Sequence, residues 1–234
     1  MNAHSRTVIV TGAAGNLGKA VAKAFADLGA NLVLVDLKRE SLHGVFGPEN
    51  DHRLFAPANL LEMAQATGVA QAALARFERI DVLCNIAGGF RMGETVHETS
   101  DENWNFLFDI NTRTLLNAVR AVVPHMIAAG GGKIVNVGAF AAQRGVARMG
   151  AYTASKGTVI RMTEAMAGEL REKNINVNCV LPTIIDTPEN RAAMPKADPA
   201  KWVAPSDLAN VIVFLASDAA RSVHGAAVPV TALS

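Results

Sequence analysis

The only tyrosine of the chain, Tyr152, is followed four positions later by Lys156. On a helix that spacing stacks both side chains on one face. A phenol with a pKa of about 10 is a poor base at neutral pH. An ammonium about 4 Å away, at an effective dielectric of about 20, contributes roughly 4 kcal/mol, or about three pKa units. The pair is therefore a candidate general acid–base near neutrality. The same spacing also arises from a buried aromatic beside a solvated lysine, so the pair alone does not separate chemistry from packing.

A second group with chemical meaning is the stretch TGAAGNLG at 11–18. Gly12 permits a turn, Gly15 lets backbone approach a pyrophosphate, and Gly18 allows close helix–strand packing. The positive end of the following helix would face the anion. Glycine turns of this kind are common between any strand and helix. Asp36 ends the next strand-like run, about 20 residues on, where a carboxylate accepts hydrogen bonds from an adenosine ribose diol. It would repel a 2′-phosphate, which favours NAD(H) over NADP(H), although Lys38 and Arg39 follow closely enough to offset that repulsion. An ordinary turn carboxylate is the alternative.

The elements that must position these residues alternate almost from end to end. Strands are predicted at 6–12, 31–36, 52–58, 80–88, 132–138 and 175–182, with a last short strand from Ala226. Helices are predicted at 17–29, at about 60–77, at 101–130 with Pro124 as a kink, at 149–173 and at 207–218. The polar stretch from Lys38 to Asn50 reads as a short helix plus loop, and 183–206 as a polar excursion. Strands that are apolar nearly throughout, joined by helices, imply a parallel sheet covered on both faces. The expected fold is a single α/β Rossmann-type domain over 1–234, a doubly wound parallel sheet of about seven strands.

Composition narrows the function. Half of the 234 residues are apolar and the net charge is +1, which leaves no basic footprint for nucleic acid. No uncharged apolar run reaches the roughly 18 residues a membrane span requires. The first strand begins by residue 6, so no leader segment is expected. Cys84 and Cys179 lie in apolar runs and read as reduced core thiols of a cytoplasmic protein, with a disulfide as the lesser alternative. The histidines show no metal-ligand spacing, and no metal is expected.

Taken in order, TGAAGNLG, Asp36, NIAG at 85–88, Asn111, YTASK at 152–156 and PTIIDT at 182–187 resemble the short-chain dehydrogenase/reductase family over essentially the whole chain. The resemblance implies an NAD(P)-dependent oxidoreductase acting on a small molecule. Tyr152 would be the acid–base and Lys156 would bind the nicotinamide ribose and lower the tyrosine pKa. Asn111 would hold a water in the proton relay, or serve the helix structurally. The cofactor would be held by Gly12, Gly15, Asn16, Leu17 and Gly18, by Asp36, Asn59 and Leu60, and by Asn85, Ala87 and Gly88. Pro182, Ile185 and Thr187 would contact its nicotinamide end. The family also pairs its long helices into homodimers or homotetramers. Here small residues such as Ala154, Gly157, Ala165 and Gly168 would permit close approach, or pack against the sheet.

Three departures from the family pattern stand out. Asn16 occupies a common glycine position and Asn59 a common aspartate position, both mild changes. The third is Ala139, 13 residues before Tyr152, where the family has a serine that hydrogen-bonds the substrate carbonyl. Loss of one such donor typically costs about a hundred- to a thousandfold in rate. AGGF at 87–90, GAFAA at 138–142 and the segment at 181–202 resemble the dihydropteridine reductase branch, which also lacks the serine. A quinonoid dihydropterin is already electrophilic and develops no alkoxide on reduction. Another quinonoid or activated carbonyl fits the same argument, and an NAD(H)-binding sensor or scaffold is the rival class. Retention of Tyr152, Lys156 and Asn111 favours the enzyme. Phe90, Met194 and Trp202 would line the substrate pocket or pack under the 183–206 loop. Arg144, Arg148 and Arg191 would meet an anionic substrate or remain solvated.

Overall fold

The protein is described here by a computed structural model covering residues 6–234. Seven strands form one sheet in the order β3-β2-β1-β4-β5-β6-β7, every pairing parallel. They are β1 Thr7–Thr11, β2 Asn31–Val35, β3 Arg53–Phe55, β4 Val82–Asn85, β5 Gly132–Val137, β6 Ile175–Pro182 and β7 Ala227–Val230. Strand alternation divides the apolar side chains between two cores. Ile9, Val33, Leu83, Ile134 and Val177 face one side with Val69, Val122 and Ile160. Val8, Val10, Leu34, Val135 and Val180 face the other with Val21, Phe25, Leu208 and Ile212. Burial on both faces is why these strands carry unbroken apolar runs in place of an alternating pattern.

The helices of the first core are α3 Met63–Phe77, α5 Thr114–Ala128 and α6 Gly150–Leu170; those of the second are α1 Asn16–Ala26 and α8 Pro205–Leu215. Two further short helices are α2 Arg39–Phe46 and α7 Pro188–Ala193, and α4 Asp101–Phe108 precedes α5. The helix predicted over 101–130 is interrupted by a π-helical turn at Asp109–Arg113, and Pro124 is carried inside α5. The third strand is three residues long, Arg53–Phe55, shorter than the predicted 52–58. The chain still follows β2 beyond it, with the Ala56 amide donating to the Leu34 carbonyl at 2.9 Å and the Ala58 amide to the Asp36 carbonyl at 2.8 Å, while Pro57 between them has no N–H to give.

Neighbours β1 and β4 lead into crossovers on opposite sides, which opens a crevice at their C-terminal ends, the place where open α/β sheets bind ligands. The loops after β1, β2, β4, β5 and β6 all end there. They carry Gly12–Gly18, Asp36, Asn85–Phe90, Gly138–Ala139 and Pro182–Thr187.

Candidate active site

The loop after β1 starts with Gly12 at φ +61°, where a Cβ would lie 2.9 Å from Ala87 Cα. Both the left-handed backbone and the close approach require glycine. A Cβ on Gly18 would collide with the Gly12 carbonyl and approach Ala13 Cα to 2.7 Å, so this glycine packs helix against turn as the spacing predicts. Gly15 is exposed at the N-cap of α1, and neither a capping side chain nor a first-turn acid satisfies the start of that helix. Its orphan amides and dipole suit an anion. The Leu17 side chain is buried in the core, so Leu17 can offer a ligand only its backbone. Asn16 reaches across the crevice, donating from Nδ2 to Glu189 Oε2 at 2.8 Å and linking the phosphate loop to α7.

Thr11 was not singled out by the sequence, yet its hydroxyl joins the two sides of the switch point. It accepts the amides of Ile86 at 3.0 Å and Ala87 at 3.1 Å. Asp36 is similarly built in: Oδ2 accepts the Ala14 amide at 3.0 Å and Oδ1 the Leu37 amide at 2.8 Å. The carboxylate thus braces the phosphate loop while its remaining lone pairs stay available to a diol. Arg39 is committed elsewhere, to Glu49 at 2.6 Å and the Phe55 carbonyl at 3.1 Å. Asn59 caps a turn by accepting the Leu61 amide at 3.1 Å. Leu60 is buried, and its carbonyl is taken by Asn117 Nδ2 at 2.8 Å. Asn85 is buried in a chain of hydrogen bonds that runs through Asn136 to Thr163, at 2.9 and 2.8 Å. Ala87 and Gly88 form the crevice edge beside it.

Tyr152 and Lys156 lie one turn apart near the start of α6. Lys156 is buried and donates from Nζ to the Val137 carbonyl at 2.8 Å. Burial lowers its pKa to about 8, partly countered by the nearby Cys179 thiol, so the ammonium remains charged at neutral pH. Tyr152 corrects the expectation drawn from the spacing. Burial pushes the phenol up to about 12, with no offsetting contribution from Lys156, whose ammonium is turned to the Val137 carbonyl. In this geometry the phenol is a firm holder of its proton. Gly88 sits between Lys156 and Asn111: a Cβ there would lie 3.0 Å from both Lys156 Nζ and Asn111 Oδ1.

The π turn delivers Asn111 to the crevice, and its carboxamide is spent on structure. Oδ1 accepts the Gly89 amide at 2.9 Å, and Nδ2 donates to the Gly89 carbonyl and to Ser155 Oγ, both at 3.1 Å. A role in ordering the 86–90 loop is therefore visible in the side chain itself.

On the substrate side, Ala139 is buried, and a Cβ on the preceding Gly138 would lie 2.7 Å from Leu181 Cδ2 and 2.9 Å from Cys179 Sγ. The hydroxyl missing at 139 thus has no room to reappear at 138. Phe90 is 53% exposed and meets the Tyr152 ring edge-on, while Met194 is half-buried. Trp202, one of the expected lining residues, is buried and packs under the loop. The excursion is anchored by Ile185 bridging to Val203, by the Thr187 hydroxyl accepting the Asn190 amide at 3.2 Å, and by Arg191 gripping Asp186 at 2.6 and 2.7 Å. That pairing takes Arg191 out of the candidates for an anionic substrate. Pro182 is buried at the end of β6.

The uncapped α1, the braced Asp36 and the glycine-lined crevice fit a dinucleotide. Comparison with known proteins gives the same direction. The family model described as short chain dehydrogenase matches residues 6–198. D-threitol dehydrogenase of Mycolicibacterium smegmatis is 33% identical, the alignment covering 94% of this chain and 89% of that protein. The 3-oxoacyl-(acyl-carrier-protein) reductase of Thermotoga maritima is 32% identical, covering 96% of each. Carveol dehydrogenase from Mycobacterium avium, solved in complex with NAD, superposes with a TM-score of 0.90 at 26% identity, over 98% of this chain and 97% of that one.

Proposed function

This chain belongs to the short-chain dehydrogenase family and is an NAD(P)-dependent oxidoreductase, and we propose that it reduces a quinonoid substrate of the dihydropterin type with NADH. The observation that carries the substrate class is Ala139, buried where a hydroxyl would hold a substrate carbonyl. A simple ketone develops alkoxide charge on reduction and needs that donor. A quinonoid ring accepts the reducing equivalents into a conjugated system and needs only a proton at the developing basic nitrogen.

NAD(H), when bound, supplies the hydride and leaves oxidised. The residues of this chain do the rest. The start of α1 binds the diphosphate, and Asp36 binds the adenosine ribose diol. Lys156 and Thr187 orient the nicotinamide end. Tyr152 holds a proton tightly until the substrate becomes basic enough to take it, and the phenolate is then reprotonated from solvent. The preference for NAD(H) over NADP(H) is supported by Asp36 and by the commitment of Arg39 to Glu49, which leaves the exposed Lys38 as the nearby cation.

Self-association through α4, α5 and α6 belongs to the same proposal. Ala154, Ala165 and Gly168 are exposed on α6, and Trp104, 45% exposed, stacks on Phe108 on the neighbouring α4. No described helix is long and apolar enough to cross a membrane. Buried, unpaired Cys84 and Cys179 accord with residence in the reducing cytoplasm.

The relatives described above are named for an alditol and a 3-oxoacyl thioester, so a panel decides. NADH oxidation is measured with a quinonoid dihydropterin, simple ketones and β-ketoacyl esters, for wild type and Ala139→Ser. The proposal expects pterin turnover in wild type, with weak ketone reduction that rises in Ala139→Ser. Rapid ketone reduction by wild type with no pterin turnover overturns it.

A further inference from the structure

Tyr152 stands inside a closed circuit of contacts. Its ring meets that of Phe90 edge-on, centroids 4.8 Å apart and planes at 88°, a favourable aromatic geometry. Phe90 follows Gly89, which is pinned to Asn111 through both its amide and its carbonyl, at 2.9 and 3.1 Å. Packing pins Gly89 as well, since a Cβ there would lie 3.1 Å from Phe106 Cζ and 3.2 Å from Ile110 Cγ2. Asn111 Nδ2 also donates to Ser155 Oγ at 3.1 Å, and the fully buried Ser155 hydroxyl donates to the Tyr152 carbonyl at 2.9 Å. The path returns to the residue from which it began. It runs through the π turn, the loop after β4 and the catalytic helix.

We infer that Phe90 and Ser155 are positioning residues for Tyr152, Phe90 fixing the phenol ring from its solvent side and Ser155 registering α6 on Asn111 and so on the loop that carries Phe90. The inference rests on Tyr152 being the acid–base. It gives the circuit a reason: with alanine at 139, no side-chain hydroxyl at that position orients the phenol, and ring packing takes over the task. Ser155 donates to one partner and accepts from the other, so its loss leaves a buried Asn111 N–H unpaired. Phe90 touches the phenol without any polar atom, so its effect passes through the ring's attitude and its exclusion of water.

Tyr152 is the only tyrosine of the chain, so tyrosinate absorbance during a pH titration reports this residue alone. Burial is what holds the phenol near 12, and Phe90 supplies part of the cover. In Phe90→Ala the tyrosinate midpoint should fall toward the ordinary value, with kcat down about tenfold and the Kd for NADH, read by fluorescence, unchanged. Phe90→Trp should restore both. Ser155→Ala should lower kcat about tenfold at unchanged NADH affinity, and Ser155→Thr, which keeps the hydroxyl, should recover part of it. Phe90 is half exposed, so its variants test the idea even if those at the buried Ser155 fail to fold. A tyrosinate midpoint and a kcat both at wild-type values in Phe90→Ala overturn the inference. Full turnover in Tyr152→Phe would instead overturn the acid–base reading, and the titration would still report whether Phe90 sets the phenol's environment.

Discussion

Replacing Lys156 with methionine separates the electrical cost of the buried ammonium from its chemistry. Burial lowers the lysine pKa from 10.5 to about 8, and at about 1.4 kcal/mol per unit this disfavours the charged form by roughly 3 kcal/mol. Because the folded pKa lies below the unfolded one, the unfolded chain keeps its proton to higher pH. Wild-type stability should therefore rise with pH between about 8 and about 10.5, at no more than about 1.4 kcal/mol per pH unit. Below pH 8 the ammonium is charged in both states and the full cost is present. Methionine keeps the stem's packing and removes the titration, although it leaves the Val137 carbonyl without its donor, at a cost of about 1–3 kcal/mol. The two effects nearly cancel at pH 7, so the informative quantity is the slope. Urea unfolding of both proteins over a pH series gives it as a difference in which other titrating groups drop out. Tyr152, with its raised pKa, contributes in the opposite sense above about pH 10, but it does so in both proteins and cancels in the difference. The stability gap should move by roughly 3 kcal/mol in favour of wild type across the window. Parallel curves would refute the buried, desolvated ammonium.

Two other substitutions probe the crevice. Asp36→Ala removes both the diol acceptor and the brace on the Ala14 amide; NADH should bind about tenfold more weakly, a loss of about 1.4 kcal/mol, while discrimination against NADPH shrinks, both read by fluorescence titration. Gly88→Ala places a methyl 3.0 Å from Lys156 Nζ and from Asn111 Oδ1, and steady-state kinetics should show kcat falling by about a hundredfold with the protein still folded by circular dichroism.

Much of this arrangement is legible in the sequence because the sheet is buried on both faces. Apolar runs such as VIV and LVLV leave little choice but parallel strands, and the glycines at 12 and 18 mark the turn that follows the first. What escapes the sequence is set by tertiary contact. The π turn at Asp109–Arg113 is invisible in a helical periodicity that runs through it, since it goes with the pull of Asn111 toward Gly89. The direction of the Lys156 ammonium is equally unreadable: four-residue spacing puts it on the tyrosine's face, and the Val137 carbonyl then draws it away. The expected depression of the phenol pKa fails for that reason. Trp202 is buried because Val203 pairs with Ile185 and folds the excursion over it, a contact between segments 18 residues apart with no local signature. Ser155 and Thr11 look like ordinary small polar residues until their partners are seen.

The most direct test of the account is the turnover of Tyr152→Phe with the best substrate of the panel, beside its affinity for NADH. The substitution keeps the ring and its contact with Phe90 and removes only the hydroxyl. If Tyr152 delivers the proton, kcat falls by about 10²–10⁴ while NADH binds within about twofold of wild type. Turnover that stays within a few-fold of wild type would contradict the account and move the acid–base role to another group.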